Sequence, residues 1–331
     1  MASPPGSLDA DMASPIHTST SDYEEENELS QFTSLTSTKQ FFKFEQGRRY
    51  QALLHDRYGL PNDDMEQMRE GIKHQFHIDY ILHGNLHVSP LENPPQKVVD
   101  LGTGAGFWAQ DVAEKYPSAH VIGVDLAPTQ PLWTPPNLQF CVEDLEDEQR
   151  QWANIHRDAD LFFIRSLLQT VRCPQLIVFR AFQNLRPGGW IECHEVISEA
   201  FSKDDTVGPD HPMNRFFALF AGSFADRFGW NLDTSRNIPQ LLKDAGFGNI
   251  QLRRREVPFG RWPNDKRLRE MGMFNQIIAQ DMATTLLDRP AMLGISEEKA
   301  TALAQDLSDA ANDPAIHAYI AGVSVWAQKP S

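Results

Sequence analysis

The 331-residue sequence has few cysteines, no long apolar run and a deficit of basic residues. Its three cysteines, Cys141, Cys173 and Cys193, are scattered without a CxxC pair, and its histidines show no ligand spacing, which disfavours disulfides and metals. No run approaches the roughly 18 apolar residues of a membrane-spanning helix, and no secretory signal is recognisable. With 30 Lys and Arg against 45 Asp and Glu, the net charge of −15 disfavours binding to nucleic acid. We therefore expect a cytoplasmic protein that needs no metal, membrane or nucleic acid.

Residues 1–40 differ in composition from the rest of the chain. They are rich in Ser and Thr, and acids cluster at Glu24, Glu25, Glu26 and Glu28. Such a segment buries too little apolar surface to offset the entropy that it loses on ordering. We therefore predict a disordered acidic tail.

From residue 97 onward, short apolar strands alternate with helical segments. The predicted strands are 98–101, 121–124, 138–142, 161–164 and 190–193, and later ones are 250–257 and 320–327. This alternation predicts an α/β fold, a mostly parallel sheet with helices on both faces. Upstream, apolar residues at helical spacing predict an amphipathic helix over 63–82. The predicted domains are the tail, an N-terminal helical cap over 41–95, and a main domain over 96–330 with helical lid insertions near 201–235 and 262–312.

The strongest local signal is a glycine loop directly after the first of these strands. Gly102, Gly104 and Gly106 permit positive φ angles and let a ligand approach the backbone. Their GxGxG spacing is not the GxGxxG of dinucleotide sites, and no GK[ST] of a P-loop follows. Asp100, just before the first glycine, suits a ligand with an ammonium and a sulfonium better than a pyrophosphate. The loop therefore favours S-adenosyl-L-methionine as the cofactor, bound at the carboxyl end of a strand.

Two further acids stand at the ends of the next two predicted strands. Asp125 ends the second strand, where a carboxylate can accept hydrogen bonds from both ribose hydroxyls. Asp144 follows the third strand, where a carboxylate can accept from the adenine amino group. The glycine loop, Asp125 or Asp144 alone would be weak evidence. Together, at the ends of three successive predicted strands, they indicate a nucleoside-cofactor site.

With these residues the sequence resembles the class I S-adenosylmethionine-dependent methyltransferases, and in particular the fungal LaeA-like methyltransferases. The resemblance covers about 45–330 and rests on 100–109 (DLGTGAGFWA), 121–128 (VIGVDLAP), 133–137 (WTPPN) and 185–192 (LRPGGWIE). It implies a Rossmann-like, seven-stranded, mostly parallel sheet whose last strand is antiparallel. It also implies that Gly102, Gly104 and Gly106 contact the cofactor, Asp125 the ribose and Asp144 the adenine.

Five more residues complete the expected site. Tyr58 lies in the N-terminal segment that we expect to cap the cofactor, Leu126 follows the ribose acid, and Arg165 ends the fourth strand. His194 and Glu195 lie at the end of the fifth strand, where the cofactor's methyl group and the substrate should meet. His194 is a candidate general base because the pKa of histidine lies near neutrality.

Methyl transfer is an in-line displacement on a sulfonium, for which the cofactor supplies the reactivity and the protein the orientation. The resemblance implies an enzyme (EC 2.1.1.-) that methylates an oxygen or nitrogen of a small molecule in fungal secondary metabolism. A second hypothesis is a LaeA-like nuclear regulator that acts through velvet-type partners. The acidic tail favours that regulator, whereas the tail's lack of a basic localisation cluster disfavours it. A nicotinamide oxidoreductase is a third hypothesis, which the loop spacing disfavours.

Overall fold

A computed structural model describes residues 42–52, 56–149, 152 and 156–331 of the chain. The predicted acidic tail lies outside these described residues. The division into a tail, an N-terminal cap and a main domain stays a prediction.

The described residues form a seven-stranded sheet in the order β5-β4-β3-β6-β7-β9-β8. Along this order the first five strands, from β5 through β4, β3 and β6 to β7, are parallel to one another. Strand β9 runs antiparallel to both β7 and β8. The predicted fold class, with its antiparallel last strand, is thereby confirmed. The strands are β3 (Lys97–Leu101), β4 (His120–Asp125), β5 (Leu138–Val142), β6 (Ala159–Arg165), β7 (Leu185–Phe201), β8 (Gly248–Pro258) and β9 (Tyr319–Gln328).

Helices pack on the sheet because its central strands are apolar on both faces. Val98 and Val99 are fully buried, and Trp108 stacks on Phe163 with their ring centroids 3.7 Å apart. Trp108 Nε1 also donates to the carbonyl of Leu86 at 2.8 Å, so this buried ring leaves no polar atom unpaired. The helices outside the N-terminal segment are α2 (Phe107–Lys115), α3 (Pro174–Asn184), α4 (Pro212–Phe228), α5 (Thr234–Asp244), α6 (Lys266–Leu287) and α7 (Glu297–Asn312).

The N-terminal segment begins with a hairpin that the sequence analysis did not predict, β1 (Phe42–Glu45) and β2 (Arg48–Gln51). Helix α1 (Asp64–Phe76) follows and continues as a π-helical turn over His77–Ile81. Its N-cap is Asp63, whose carboxylate accepts from the backbone of the third helical residue at 3.1 Å.

Helices α4, α6 and α7 pack together through aromatic and aliphatic side chains. Phe224 is fully buried in this cluster beside Phe228 and Trp230 from the same stretch, and the cluster also includes Leu286 of α6 and Leu303 of α7. The two segments predicted as lid insertions therefore lie against each other.

None of the helices in the described part of the chain is long and apolar enough to cross a membrane. Among the same residues, no group of His, Cys, Asp and Glu side chains could hold a metal ion. Cys173 and Cys193 are free thiols, the first exposed and the second buried.

Candidate active site

The glycine loop joins β3 to α2 at the carboxyl edge of the sheet. Gly102, Gly104 and Gly106 have φ angles of 74°, 58° and 83°, so all three occupy the left-handed region. A Cβ at Gly106 would lie 2.4 Å from the ring of Phe140, whereas a Cβ at Gly104 would meet nothing within 4 Å. Gly106 therefore serves packing, and Gly104 leaves open space above the loop.

Asp100 lies beneath this loop and is 3% exposed. Thr103 Oγ1 donates to its carboxylate at 2.7 Å. Burial raises the pKa of Asp100 to about 6, against the opposing effects of Thr103 and the Arg165 guanidinium. Asp100 therefore stabilises the glycine loop through Thr103, and its side chain does not line the cavity that the loop borders.

Asp125 ends β4 with its carboxylate fixed by the backbone. One oxygen accepts from Gly104 N at 2.8 Å and the other from Ala127 N at 3.0 Å. Burial raises its pKa, although the backbone hydrogen bonds oppose this effect. Each carboxylate oxygen can accept a second hydrogen bond, so the group is oriented yet still able to bind two hydroxyls.

These elements enclose a cavity of about 1140 Å³ of empty space, part of it open to solvent. The structure brings together most of the predicted cofactor residues along its walls, while Asp100 and Gly106 lie behind them. The predicted residues that line it are Tyr58, Gly102, Gly104, Asp125, Leu126, Asp144 and Arg165.

Asp144 is held by a neighbouring arginine. Its carboxylate accepts from Arg57 Nη1 at 2.7 Å and from Glu146 N at 2.9 Å. Trp230 Nε1 in turn donates to the carbonyl of Arg57 at 2.9 Å, which connects this arginine to the segment that follows α4. An adenine base that donated to the Asp144 carboxylate would either share this carboxylate with Arg57 or displace Arg57 from it.

Arg165 supplies a cation at the end of β6. It has no carboxylate within 4 Å among the described residues, and burial lowers its pKa despite the attraction of Asp100 and Glu70. Its Nη1 donates to His74 Nδ1 at 3.2 Å. Because arginine is only a donor, His74 must carry its proton on Nε2, which donates to Asp111 at 2.8 Å. The guanidinium thus lines the cavity, and none of the described carboxylates forms an ion pair with it.

The opposite wall of the cavity comes from the N-terminal segment and contains residues that sequence reasoning missed. Glu66, Glu70 and Lys73 line it from one face of α1, and Glu66 pairs with the buried Arg69. Burial raises the pKa of Glu66, whereas Lys73 and Arg69 outweigh burial and lower the pKa of Glu70 to about 2. The spacing of these residues along one helix face was the signal in the sequence that could have found them.

His194 lies away from the cavity, 2% exposed. Its Nε2 donates to Glu192 at 2.7 Å, and its Nδ1 bonds to Ser324 Oγ at 2.9 Å. Burial favours the neutral form of Glu192, but hydrogen bonds from His194 and Ser89 outweigh this effect and lower its pKa. Residues two apart share a strand face, so this network joins β7 to β9 inside the core.

Glu195 also lies behind the cavity wall. Its Oε1 accepts from Leu167 N at 2.9 Å and from Leu168 N at 2.8 Å, and its Oε2 accepts from Gln169 at 3.1 Å. Burial raises its pKa to about 7, against these hydrogen bonds. Since Leu167 and Ser166 line the cavity, Glu195 fixes the loop that they belong to.

S-adenosyl-L-methionine fits the groups that this cavity presents. The open space at Gly104 and the oriented Asp125 carboxylate suit a ribose, and the Arg165 guanidinium on the cavity wall suits a carboxylate. When bound, this cofactor supplies an electrophilic methyl group on a sulfonium.

Comparisons with known proteins identify the family. A model described as "Methyltransferase domain" matches residues 73–252. The chain is 31% identical to "Methyltransferase pytC" of Aspergillus terreus over 99% of this chain and 98% of that protein. It is 33% identical to "Secondary metabolism regulator LAE1" of Cochliobolus heterostrophus, over 69% and 74%. It is 29% identical to "Protein-methionine methyltransferase laeA" of Emericella nidulans, over 88% and 77%. The chain belongs to the fungal LaeA-like family of S-adenosyl-L-methionine-dependent methyltransferases.

Proposed function

We propose that this methyltransferase transfers the methyl group to an oxygen or nitrogen of a small molecule made in fungal secondary metabolism. This proposal rests on the shape of the cavity, which is bordered on one side by the glycine loop and on the other by polar side chains of α1. Such a concave site with convergent polar groups suits a small acceptor better than a protein surface. The match to pytC, which spans nearly the whole of both chains, supports the same assignment.

Within this proposal the predicted cofactor residues take different roles. Asp125 binds the ribose hydroxyls, Gly102 and Gly104 let the cofactor approach the backbone, and Arg165 binds the carboxylate of its methionine end. The other predicted residues are Tyr58, Leu126 and Asp144, which border the nucleoside, and Asp100 and Gly106, which shape the loop.

We assign His194 and Glu195 positioning roles rather than contact with the acceptor. Both side chains are buried behind the cavity, and the hydrogen bonds that they form are to other groups of the protein. Glu195 orders the loop that carries Leu167, and His194 ties Glu192 to the core. An acceptor that must lose a proton would therefore deliver it to water or to a carboxylate of α1.

A regulatory role is the second candidate, because relatives of similar identity are named secondary metabolism regulators and one is named a protein-methionine methyltransferase. Under this alternative the methyl group goes to a protein, and the chain acts in the nucleus with a velvet-type partner. Both roles would use the same cofactor residues and would differ in the acceptor.

The two candidates are separated by following the label from methyl-labelled S-adenosylmethionine in a whole-cell fungal extract. Small molecules and proteins are separated after incubation with the purified chain, with the Asp125→Ala variant as the matched background. Label that the wild type adds to the small-molecule fraction supports the proposal, and mass spectrometry then names the acceptor. Label that appears only in protein contradicts it and favours the regulator.

A further inference from the structure

One amide side chain in the cavity has unused hydrogen-bonding capacity. Gln51 ends β2, is 2% exposed and lines the cavity. Among the residues that the structure describes, neither its Nε2 nor its Oε1 has a hydrogen-bond partner. A buried amide without partners destabilises the folded state, so native structures rarely retain one. The two atoms are therefore available to a ligand, as donor and as acceptor.

Asn62 places a second amide in the cavity wall. Its Oδ1 accepts from Arg49 Nε at 3.2 Å, and the two backbones are joined by Asn62 N donating to Arg49 O at 2.7 Å. Because arginine only donates, this contact fixes the amide with Oδ1 toward Arg49, and its Nδ2 has no partner within the described ranges. Gln51 and Asn62 both line the cavity, so the two amides are exposed to the same enclosed space.

Both amides belong to the wall opposite the cofactor residues. The cofactor residues Gly102 and Asp125 stand at strand ends, whereas Gln51 and Asn62 lie at the amino end of α1. The other end of α1 is fixed to the sheet by the bond between His74 and Arg165. At about 1.5 Å per residue, the helix from residue 64 to residue 74 separates the two ends by about 15 Å. Because the proposed function assigns Arg165 to the methionine end of the cofactor, the amides lie well away from the transferred methyl group, and they can contact only a part of the acceptor that is remote from the methylated atom.

Building on the proposed function, we propose that Gln51 and Asn62 select acceptors that carry a carboxamide or lactam. The acceptor's carbonyl oxygen receives hydrogen bonds from the two amide nitrogens, and its N–H donates to Gln51 Oε1. An ester or an ether lacks the N–H and leaves Oε1 buried and unpaired, which disfavours it strongly. The Glu66 and Glu70 carboxylates on the same wall are paired with Arg69 and Lys73, so the charge of this wall is largely balanced. The donor and acceptor atoms of the two amides therefore favour a neutral amide.

The binding test uses two fragments on protein saturated with S-adenosylhomocysteine. The probe is 2-pyridone, a lactam, and its control is 2-methoxypyridine, which lacks the N–H. We expect the wild type to bind 2-pyridone more tightly than the control, and Gln51→Met to weaken 2-pyridone by at least about tenfold while its affinity for S-adenosylhomocysteine is unchanged. Equal binding of both fragments by the wild type, or equal 2-pyridone binding by the variant, overturns the proposal.

Two further outcomes distinguish failure of this inference from failure of the proposed function. If Gln51→Met loses affinity for S-adenosylhomocysteine instead, the amide serves the cofactor, and only this inference falls. If the wild type itself does not bind S-adenosylhomocysteine, the proposed function is contradicted, and the inference falls with it.

Thermal unfolding without ligand gives a readout independent of binding. Gln276 is a matched control, because it is 8% exposed and its Nε2 donates to Asn312 Oδ1 at 3.3 Å. Gln276→Met removes the donor to Asn312 Oδ1 and should lower the Tm, whereas Gln51→Met removes an amide that has no partner among the described residues and should leave the Tm unchanged or raise it. A Tm loss for Gln51→Met as large as that for Gln276→Met would show a structural partner and overturn the proposal.

Discussion

Replacing Asp125 tests the assignment of the cofactor site at a single carboxylate. The Asp125→Ala variant removes the group that both backbone donors, Gly104 N and Ala127 N, hold in place. Two charge-assisted hydrogen bonds to ribose hydroxyls contribute about 3–6 kcal/mol together, at about 1.5–3 kcal/mol each. At about 1.4 kcal/mol per decade, the Kd for S-adenosylhomocysteine should rise about 10²–10⁴-fold, as measured by isothermal titration calorimetry.

Asp160→Ala is the matched control, because Asp160 also accepts two backbone hydrogen bonds. Its Oδ2 accepts from Gln96 N at 2.7 Å and Lys97 N at 2.8 Å, at the amino end of β6 and thus at the opposite edge of the sheet. Asp160→Ala should lower the free energy of unfolding without changing the Kd. If Asp125→Ala binds S-adenosylhomocysteine as tightly as the wild type does, the assignment of this carboxylate to the ribose is refuted.

Three further predictions address the loop, the buried glutamate and the buried histidine. Gly106→Ala should lower the Tm strongly because its Cβ meets Phe140, whereas Gly104→Ala should mainly weaken cofactor binding; equal Tm losses would contradict this difference. The pKa of Glu195 rises from 4.5 to about 7 on folding, so the stability it contributes is complete below pH 4.5 and is lost as the pH rises through 7. Urea unfolding at pH 5 and pH 8 should therefore show a smaller pH dependence for Glu195→Gln than for the wild type, and an unchanged dependence would contradict the assignment. His194→Asn should lower the Tm and leave the Kd for S-adenosylhomocysteine unchanged. A higher Kd would show that His194 takes part in cofactor binding and would contradict the positioning role.

The centre of the sheet could be predicted from the sequence because β3, β4, β5 and β6 are short apolar runs with no competing helical period. The longer β7 and the mostly polar β8 extend beyond the strands predicted over 190–193 and 250–257. The strand predicted over 138–142 has the observed bounds. The loop with Gly102, Gly104 and Gly106 could be predicted because only a positive φ angle explains such a run of glycines.

The hairpin at the N-terminus was missed although its turn left a signal. Gln46 and Gly47 both have positive φ angles, 48° and 78°, in the two-residue connection between β1 and β2. A glycine in such a connection between two short alternating segments is typical of a hairpin. The segment was instead interpreted as the start of a helical cap.

The polar wall of the cavity could not be predicted from local patterns. Gln51, Asn62 and Glu66 reach the cavity only because β2 and α1 pack over the carboxyl edge of a sheet that begins many residues later. The orientation of His194 was equally hidden, because β7 is buried on both faces and its sequence does not show which face meets the cavity. Long-range packing, rather than residue type, decided these positions.

The most direct test of the central claim is a crystal structure of the chain with S-adenosylhomocysteine. We predict that the ribose hydroxyls bond to Asp125, that the base lies beside Leu126 and Asp144 with Arg57 shifted, and that the space bordered by Gln51 stays open for an acceptor. A cofactor bound elsewhere, or one that fills the space beside Gln51 and leaves Asp125 without a ligand contact, would contradict the account.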